Sequence, residues 1–161
     1  MGIIQTLLLA LVVVALAVAG GAWAFQTWGI YRFQPGAQTP ADVGLAGVRV
    51  ADPGPGRPVI LSFYGNSAAI GPSMARLMPL VSDGYGLVMM EYRGSGATPG
   101  KPGEAAFARD ARALYDGLEA IVGRPVPPAD RVLHGFSLGA GVGSRLAATR
   151  PFAAVILEAS P

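Results

Sequence analysis

The stretch Gly135-Phe136-Ser137-Leu138-Gly139 decides how this chain folds, because a strand pattern precedes it and a helix pattern follows it. The strand pattern is the apolar run 132–134, and the helix pattern is the small-residue run 140–148. A serine on a tight strand-to-helix turn needs small residues two positions away on each side, because a Cβ there would collide with the turn. Glycines stand at both of those positions. The stretch therefore predicts a strand, a sharp turn that carries the serine, and a helix.

A serine presented in this way is a candidate nucleophile. The turn lifts the Ser137 hydroxyl away from the sheet, and the amide of Leu138 lies at a helix N-terminus, where it can stabilise an oxyanion. Sequences of the form GxSxG also occur by chance in glycine-rich turns without catalytic function. The strand and the helix on either side are what favour the catalytic interpretation here.

The composition indicates one globular domain with an apolar appendage. Of the 161 residues, 52% are hydrophobic and 14% are charged, which argues against disorder. The formal net charge of +2 is too small to indicate nucleic-acid binding. The lack of cysteine excludes a thiolate metal site, and the single histidine argues against a His-based zinc site. We expect neither a metal nor a cofactor.

The N-terminal segment is a candidate membrane anchor. Residues 7–25 contain no polar side chain, the first charged side chain is Arg32, and the run is long enough to cross a bilayer as a helix. A cleaved signal peptide is the alternative, because runs 17–19 and 22–24 resemble cleavage sites. Two features argue against a signal peptide. No Lys or Arg precedes the apolar run, and the run is longer than the apolar region of a signal peptide, which is usually about 7 to 15 residues. We expect residues 1–32 to form an uncleaved, single-pass anchor.

The remainder of the chain reads as a linker followed by alternating strands and helices. Residues 33–57 are rich in proline and glycine, as linkers are, and run 48–50 within them alternates like a short edge strand. From Pro58 onward, short apolar runs bounded by turn residues predict buried parallel strands. These runs are 59–63, 87–91, 132–134 and 154–158.

Two segments between these strands have helical periodicity. Residues 104–122 form an amphipathic pattern that predicts one helix. Its inward positions are Phe107, Ala111, Leu114, Leu118 and Ile121. Residues 73–81 predict a shorter helix, which Pro79 is expected to kink or shorten. Its inward positions are Met74, Leu77, Met78 and Val81. Strands that alternate with helices indicate an α/β fold with right-handed crossovers.

Two loops carry a family resemblance. The loop Tyr64-Gly65-Asn66 follows one strand, and the run Tyr92-Arg93-Gly94-Ser95-Gly96 follows the next. Together with the serine turn and the ending 157–161, they resemble α/β-hydrolases, in particular the membrane-anchored α/β-hydrolase-domain proteins related to lysophospholipases and serine peptidases. The resemblance covers residues from about 59 to 161. It implies an α/β fold with a partial α/β-hydrolase parallel sheet and flanking helices, preceded by one N-terminal transmembrane helix. It also implies that the domain is truncated after the sixth strand, so that residues 58–161 are its N-terminal part.

The resemblance also implies roles for particular residues. In that family the loop reads His-Gly-Asn, and the amide after the glycine completes the oxyanion hole; that residue is Asn66 here, while Tyr64 replaces the histidine. An ordinary Gly-Asn turn is the alternative. The implied activity is hydrolysis of an ester, thioester or amide of a small acyl substrate, with catalytic residues Ser137, Leu138 and Asn66. Arg93 and Asp110 are assigned a structural role as an ion pair.

The catalytic base and acid are not evident in the chain. In this family they follow the serine, and both positions lie beyond residue 161. His134 lies on the strand itself, where its side chain is expected to point into a helix layer. Glu158 lies at the correct edge for an acid, but it is more simply a strand-end carboxylate that accepts loop amides. We therefore expect a fragment that is inactive alone; the alternative is a non-catalytic, membrane-tethered binding module. A reading frame that continues to an Asp and a His would favour the hydrolase.

We expect the 161-residue chain to float with membranes on a density gradient after an alkaline carbonate wash, because its apolar segment prefers hydrocarbon to water. Flotation distinguishes insertion from aggregation. The double variant Val13→Lys/Leu16→Lys is the control, because each charge in the middle of the segment costs about 2.5 to 3.5 kcal/mol. Release of the full-length chain by the wash would contradict the anchor, and a shortened N-terminus in the intact mass would support the signal peptide.

Overall fold

The structure is a computed structural model in which the chain divides into two compact units, Met1–Arg32 and Phe33–Pro161. The residues described are 2–31, 33, 47–52, 54–66, 70–96 and 98–160, without the side chains of residues 27, 28 and 49. Most of the expected linker, residues 34–46 and 53, therefore lies outside the described residues.

The first unit is a single helix, α1, Ile3–Ile30. Its stretch Ile3–Gln26 is apolar, and no part of its most apolar window is buried within the structure. At 1.5 Å per residue, 24 residues span about 36 Å, slightly more than the roughly 30 Å of a bilayer core. The helix is therefore long and apolar enough to cross a membrane, and its exposed apolar surface on every side suits a lipid environment.

The second unit is built on a five-stranded sheet with strand order β1-β3-β2-β4-β5. The strands are β1 Val48–Ala51, β2 Val59–Phe63, β3 Gly86–Met90, β4 Arg131–Phe136 and β5 Ala154–Glu158. Strands β2 to β5 are parallel, whereas β1 pairs antiparallel with β3 at one edge. The predicted α/β fold is confirmed, and so is the predicted edge strand. Strands β2 and β3 are buried along their whole length, as an apolar run in a parallel sheet requires.

Helices pack against this sheet, with α2 and α5 in direct contact with its strands. They are α2 Ile70–Ser82, α3 Glu104–Asp116, α4 Leu118–Val122 and α5 Leu138–Ala147. Helix α2 begins three residues before the predicted start, and Pro79 lies in its last turns, where the helix continues to Ser82. The prediction that Met78 faces inward was wrong, since 39% of it is exposed. The apolar stripe on α2 is wider than the face that the sheet covers.

The prediction of one helix over residues 104–122 was also wrong, because the helix is interrupted at Gly117. Glycine has weak helix propensity, and the buried Arg131 supplies a second cause. The Arg131 guanidinium donates to the Tyr115 carbonyl at 2.8 Å, and its Cζ atom lies 4.3 Å from the centre of the Tyr115 ring. A carbonyl satisfied by arginine does not need the amide that a continuous helix would supply.

Two ion pairs join distant parts of the domain. The Arg93 guanidinium donates to both carboxylate oxygens of Asp110, at 2.6 and 2.8 Å, which confirms the structural pairing predicted for these residues. The Arg124 guanidinium donates in the same way to Asp52, at 2.7 and 3.0 Å. This hydrogen bonding lowers the pKa of Asp52. The ionised pair fixes the end of β1 to the loop after α4.

Strand β5 forms the other edge of the described sheet. All five of its residues are exposed, so the prediction that run 154–158 forms a buried strand was wrong on burial. Among the described residues β5 pairs only with β4, in parallel as predicted. Its three central side chains are apolar and between 40% and 49% exposed. These are Val155, Ile156 and Leu157. An apolar strand edge of this kind is a template for pairing with another chain.

We expect residues 33–161, expressed without α1, to aggregate through β5. Placing lysines at Val155 and Ile156 should shift the population toward monomer, because charges on an edge strand oppose strand pairing. Sedimentation velocity measures the change, and lysines at Val50 and Met78, which are also exposed but are not part of β5, provide the control. A monodisperse monomer with a cooperative melt in the unsubstituted domain would show that β5 is not an aggregation site.

Candidate active site

Ser137 lies on a strained turn between β4 and α5. Its φ and ψ are 52° and −118°, a region that residues with a side chain rarely adopt, at a cost of about 1 to 3 kcal/mol. Two backbone hydrogen bonds hold it there: its amide donates to the Glu158 carbonyl at 2.9 Å, and its carbonyl accepts from the Ala140 amide at 2.8 Å. The predicted sharp turn is therefore present, with the serine half-buried at its apex.

The two flanking glycines are required by close backbone contacts. A Cβ on Gly135 would lie 2.6 Å from the Gly139 carbonyl oxygen, and a Cβ on Gly139 would overlap the Phe63 carbonyl. The predicted collision with the turn is confirmed at Gly135, whereas at Gly139 the collision is with the end of β2. Gly139 also lets the first turn of α5 rest directly on the end of β2, a contact that the local sequence pattern did not predict.

The loop after β2 faces the serine turn. A Cβ on Gly65 would lie 3.4 Å from the Ser137 Cβ and 3.3 Å from the Phe136 ring. Asn66, the next residue, is half-buried in the same loop, and Leu138 is the first residue of α5. The structure therefore brings the three predicted site residues into one region at the carboxyl ends of β2 and β4. Residues 67–69, which continue the loop, lie outside the described part of the chain.

Tyr64, which stands where the family has histidine, forms a reciprocal pair with Tyr92. The Tyr92 hydroxyl donates to the Tyr64 carbonyl at 2.9 Å, and the Tyr64 hydroxyl accepts from the Tyr92 amide at 3.3 Å. Their ring centres are 4.7 Å apart, and both residues are buried. Burial raises the pKa of both phenols, so both hydroxyls are protonated at neutral pH and Tyr92 can donate.

The loop after β3 is organised by a buried carboxylate. Glu91 is 6% exposed and accepts a hydrogen bond of 2.8 Å from the Thr98 hydroxyl. Gly96 approaches this carboxylate so closely, with φ of 53°, that a Cβ there would overlap it. The tyrosine pair and this carboxylate were both missed from the sequence, because no local pattern signals a contact between two strand ends.

The side chains of His134 and Glu158 contact each other and Ser62 or Arg76. His134 Nδ1 is 2.8 Å from the Ser62 hydroxyl, and Nε2 is 3.5 Å from a Glu158 carboxylate oxygen. Within the described residues, neither side chain hydrogen-bonds to Ser137. His134 shares a cavity wall with Pro72 of α2, which agrees with the prediction that it points into a helix layer. The Glu158 carboxylate lies 3.5 Å from the Arg76 guanidinium. The loop amides that we expected it to accept stay a prediction, because residues 67–69 lie outside the described part of the chain.

We expect Gly139→Ala to destabilise the domain by about 3 kcal/mol or more, because the added methyl overlaps main-chain atoms that cannot move aside. Gly141→Ala, two residues along the same helix, is the matched control. A Cβ at Gly141 meets nothing within 4 Å, so the control should be neutral or stabilising by up to about 1 kcal/mol. Thermal unfolding of both variants in detergent tests this, and equal melting temperatures would refute the close contact.

Comparison with known proteins identifies relatives of similar architecture. An uncharacterized protein of Mycobacterium tuberculosis is 36% identical over 101 residues, which are 63% of this chain and 35% of that protein. Lysophosphatidylserine lipase ABHD12 of Danio rerio is 35% identical over 91 residues, 55% of this chain and 23% of that protein. The chain thus spans about a third or less of the length of these relatives.

Solved structures and a family model agree on the fold. A thermostable carboxyl esterase from Bacillus coagulans superposes with a TM-score of 0.56 at 17% identity, covering 68% of this chain and 39% of that one. A Vibrio vulnificus alpha-beta hydrolase superposes with a TM-score of 0.54 at 20% identity, covering 67% and 38%. The model of the alpha/beta hydrolase family matches residues 62–161, which include the loop after β2, the serine turn and β5. The chain belongs to the alpha/beta hydrolase family.

Proposed function

We propose that this chain carries the nucleophile and the oxyanion hole of a serine hydrolase that acts on a carboxylic ester, thioester or amide. The observation that carries the proposal is the strained backbone conformation of Ser137. Its φ of 52° is rare for a residue other than glycine, and such strain is found mainly at functional sites. The loop that contains Gly65 packs against the same serine, so a nucleophile and a second backbone segment meet at one point.

The chemistry follows from this arrangement. The Ser137 oxygen attacks the acyl carbon and its proton passes to a base, which gives a tetrahedral intermediate with a negatively charged oxygen. The amides of Leu138 and Asn66 donate to that oxygen. Leu138 is well suited to this role, because the first amides of a helix have no partner within the helix and lie at the positive end of its dipole.

The base and the acid are proposed to come from residues outside these 161. The chain has one histidine, and its Nδ1 is already engaged with Ser62 on the α2 side of the sheet. Glu158 is held beside His134 and Arg76. Loss of a triad member in serine hydrolases costs on the order of 10⁴ to 10⁶ in rate, so the chain alone should hydrolyse esters near the background rate.

We also propose a domain layout and a location. Residues 1–32 anchor the chain in a membrane in a single pass, residues 33–57 link the anchor to the domain and include the edge strand, and residues 58–161 belong to the hydrolase domain. Helix α1 supports the anchor by its length and by its exposed apolar surface. A lipid ester is the substrate class that an anchored hydrolase reaches most directly, and the relative named as a lysophosphatidylserine lipase supports that choice.

We expect a fluorophosphonate probe to label the 161-residue chain slowly, with p-nitrophenyl butyrate hydrolysis near background. A longer product of the same reading frame that supplies an Asp and a His should react at least about 10³-fold faster, because the serine then has a base. Ser137→Ala should abolish both signals in the longer product. Ser144→Ala is the matched control, since its hydroxyl only donates to the Ala140 carbonyl within α5.

Two outcomes would contradict this mechanism. Turnover by the 161-residue chain as fast as that of the longer product would mean that His134 or another group acts as the base, and His134→Ala would abolish it only if His134 is that base. A longer product that folds, binds an acyl ligand and still fails to label at Ser137 would favour the non-catalytic, membrane-tethered binding module.

A further inference from the structure

Phe33 packs against the aromatic residues that support the loop after β2. It is the first residue of the second unit, directly after the unit that ends at Arg32, and it is half-buried. Its ring centre lies 5.6 Å from that of Tyr92, with the ring planes at 30°, and 5.9 Å from that of Phe107, with the planes at 73°. Aromatic rings at such distances attract each other beyond the area that they bury. A residue expected to be linker is therefore part of the packing around Tyr92.

Tyr92 connects this packing to the backbone of the loop after β2. Its ring is fully buried, and its hydroxyl donates to the Tyr64 carbonyl at 2.9 Å. Because Phe33 is half-buried and its ring lies against the fully buried Tyr92, it separates Tyr92 from solvent. Without the Phe33 ring, water could reach the Tyr92 hydroxyl and compete for the Tyr64 carbonyl.

The Tyr64 carbonyl belongs to the peptide group next to the one that carries the Asn66 amide. Peptide groups are planar, so fixing the group between residues 64 and 65 leaves only the two backbone angles of Gly65 to set the direction of the Asn66 amide. Glycine restricts these angles less than any other residue. The Tyr92 hydroxyl and the close approach of Gly65 to the Phe136 ring supply the restriction instead.

We propose that Phe33 is a positioning residue for the oxyanion hole and that it acts through Tyr92 on the Asn66 amide. The inference rests on the hydrolase function proposed above. Phe33 lies outside residues 62–161, which the family model matches, and it follows directly on the proposed membrane anchor. A hydrolase domain expressed from a later starting residue would therefore lose part of its oxyanion stabilisation together with the anchor.

The catalytic part of the proposal is tested by steady-state hydrolysis of p-nitrophenyl butyrate by the longer product in lipid nanodiscs. We expect Phe33→Ala to lower kcat by about 10- to 100-fold and to change KM by less than about twofold. The reason is that a misplaced oxyanion donor weakens binding of the transition state and leaves binding of the substrate intact. Phe33→Leu, which keeps an apolar side chain against Tyr92, should recover most of the rate.

Phe152→Ala is the matched control. Phe152 is also half-buried, and its ring also packs against a tyrosine, with a centre 5.1 Å from that of Tyr115. It precedes β5, whereas the Ser137 amide contacts the last residue of that strand. This variant should lower the melting temperature and leave kcat unchanged. Equal losses of kcat in Phe33→Ala and Phe152→Ala would indicate general destabilisation and would overturn the proposal.

A double-mutant cycle tests whether Phe33 acts through Tyr92. Tyr92→Phe removes the hydroxyl that holds the loop, so adding Phe33→Ala to it should lower kcat by less than about a further twofold. Losses that multiply as independent effects would overturn the route through Tyr92. An unchanged kcat in Phe33→Ala alone would overturn the positioning role.

Amide hydrogen exchange in the 161-residue chain tests the positioning without hydrolysis. The Tyr92 amide donates to the Tyr64 hydroxyl at 3.3 Å, so its exchange rate reports on the tyrosine pair. Phe33→Ala should increase this rate by at least about tenfold, and Phe152→Ala should leave it unchanged. An unchanged rate in Phe33→Ala would overturn the positioning alone, even where the longer product hydrolyses esters. A longer product that never reacts at Ser137 would overturn the proposed function and the oxyanion role together.

Discussion

The contact between the first turn of α5 and the end of β2 is the constraint on which the rest of the site depends. At Gly139 the helix comes so close to the Phe63 carbonyl that no side-chain atom fits between them. Because the helix cannot retreat without losing this contact, the residue before it must turn sharply, and Ser137 takes its strained backbone conformation as a result. The same contact places the loop after β2 beside the serine.

The two loops at this edge support each other through neutral hydroxyl groups. Tyr64 and Tyr92 exchange hydrogen bonds between the ends of β2 and β3, and their rings pack together with Phe107 of α3 beneath them. A phenol in an apolar site keeps its proton across the physiological range. The geometry of the loop that carries Asn66 is therefore insensitive to pH near neutrality. A histidine at position 64 would not guarantee this, because histidine changes its charge in that pH range.

The sequence was sufficient wherever a local pattern had a single physical solution. The GxSxG turn, the buried strands β2 and β3 and an edge strand near residues 48–50 were predictable, because glycine spacing and short apolar runs act over a few residues. Predictions failed where a distant residue decided the outcome. Arg131 takes the Tyr115 carbonyl and interrupts a helix that its own periodicity would continue. The partners of His134 and Tyr64 lie 72 and 28 residues away, and no local signal points to them.

The sheet order has a consequence for how the chain is made. The central strand β2 is flanked by β3, which follows soon after it, and by β4, whose pairing with β2 joins residues 72 positions apart. At roughly 5 to 20 residues per second, a ribosome needs about 4 to 14 s to synthesise that interval. During this time the edge of β2 that later pairs with β4 is open and apolar. A nascent chain in this state is a natural client for chaperones that bind exposed strands.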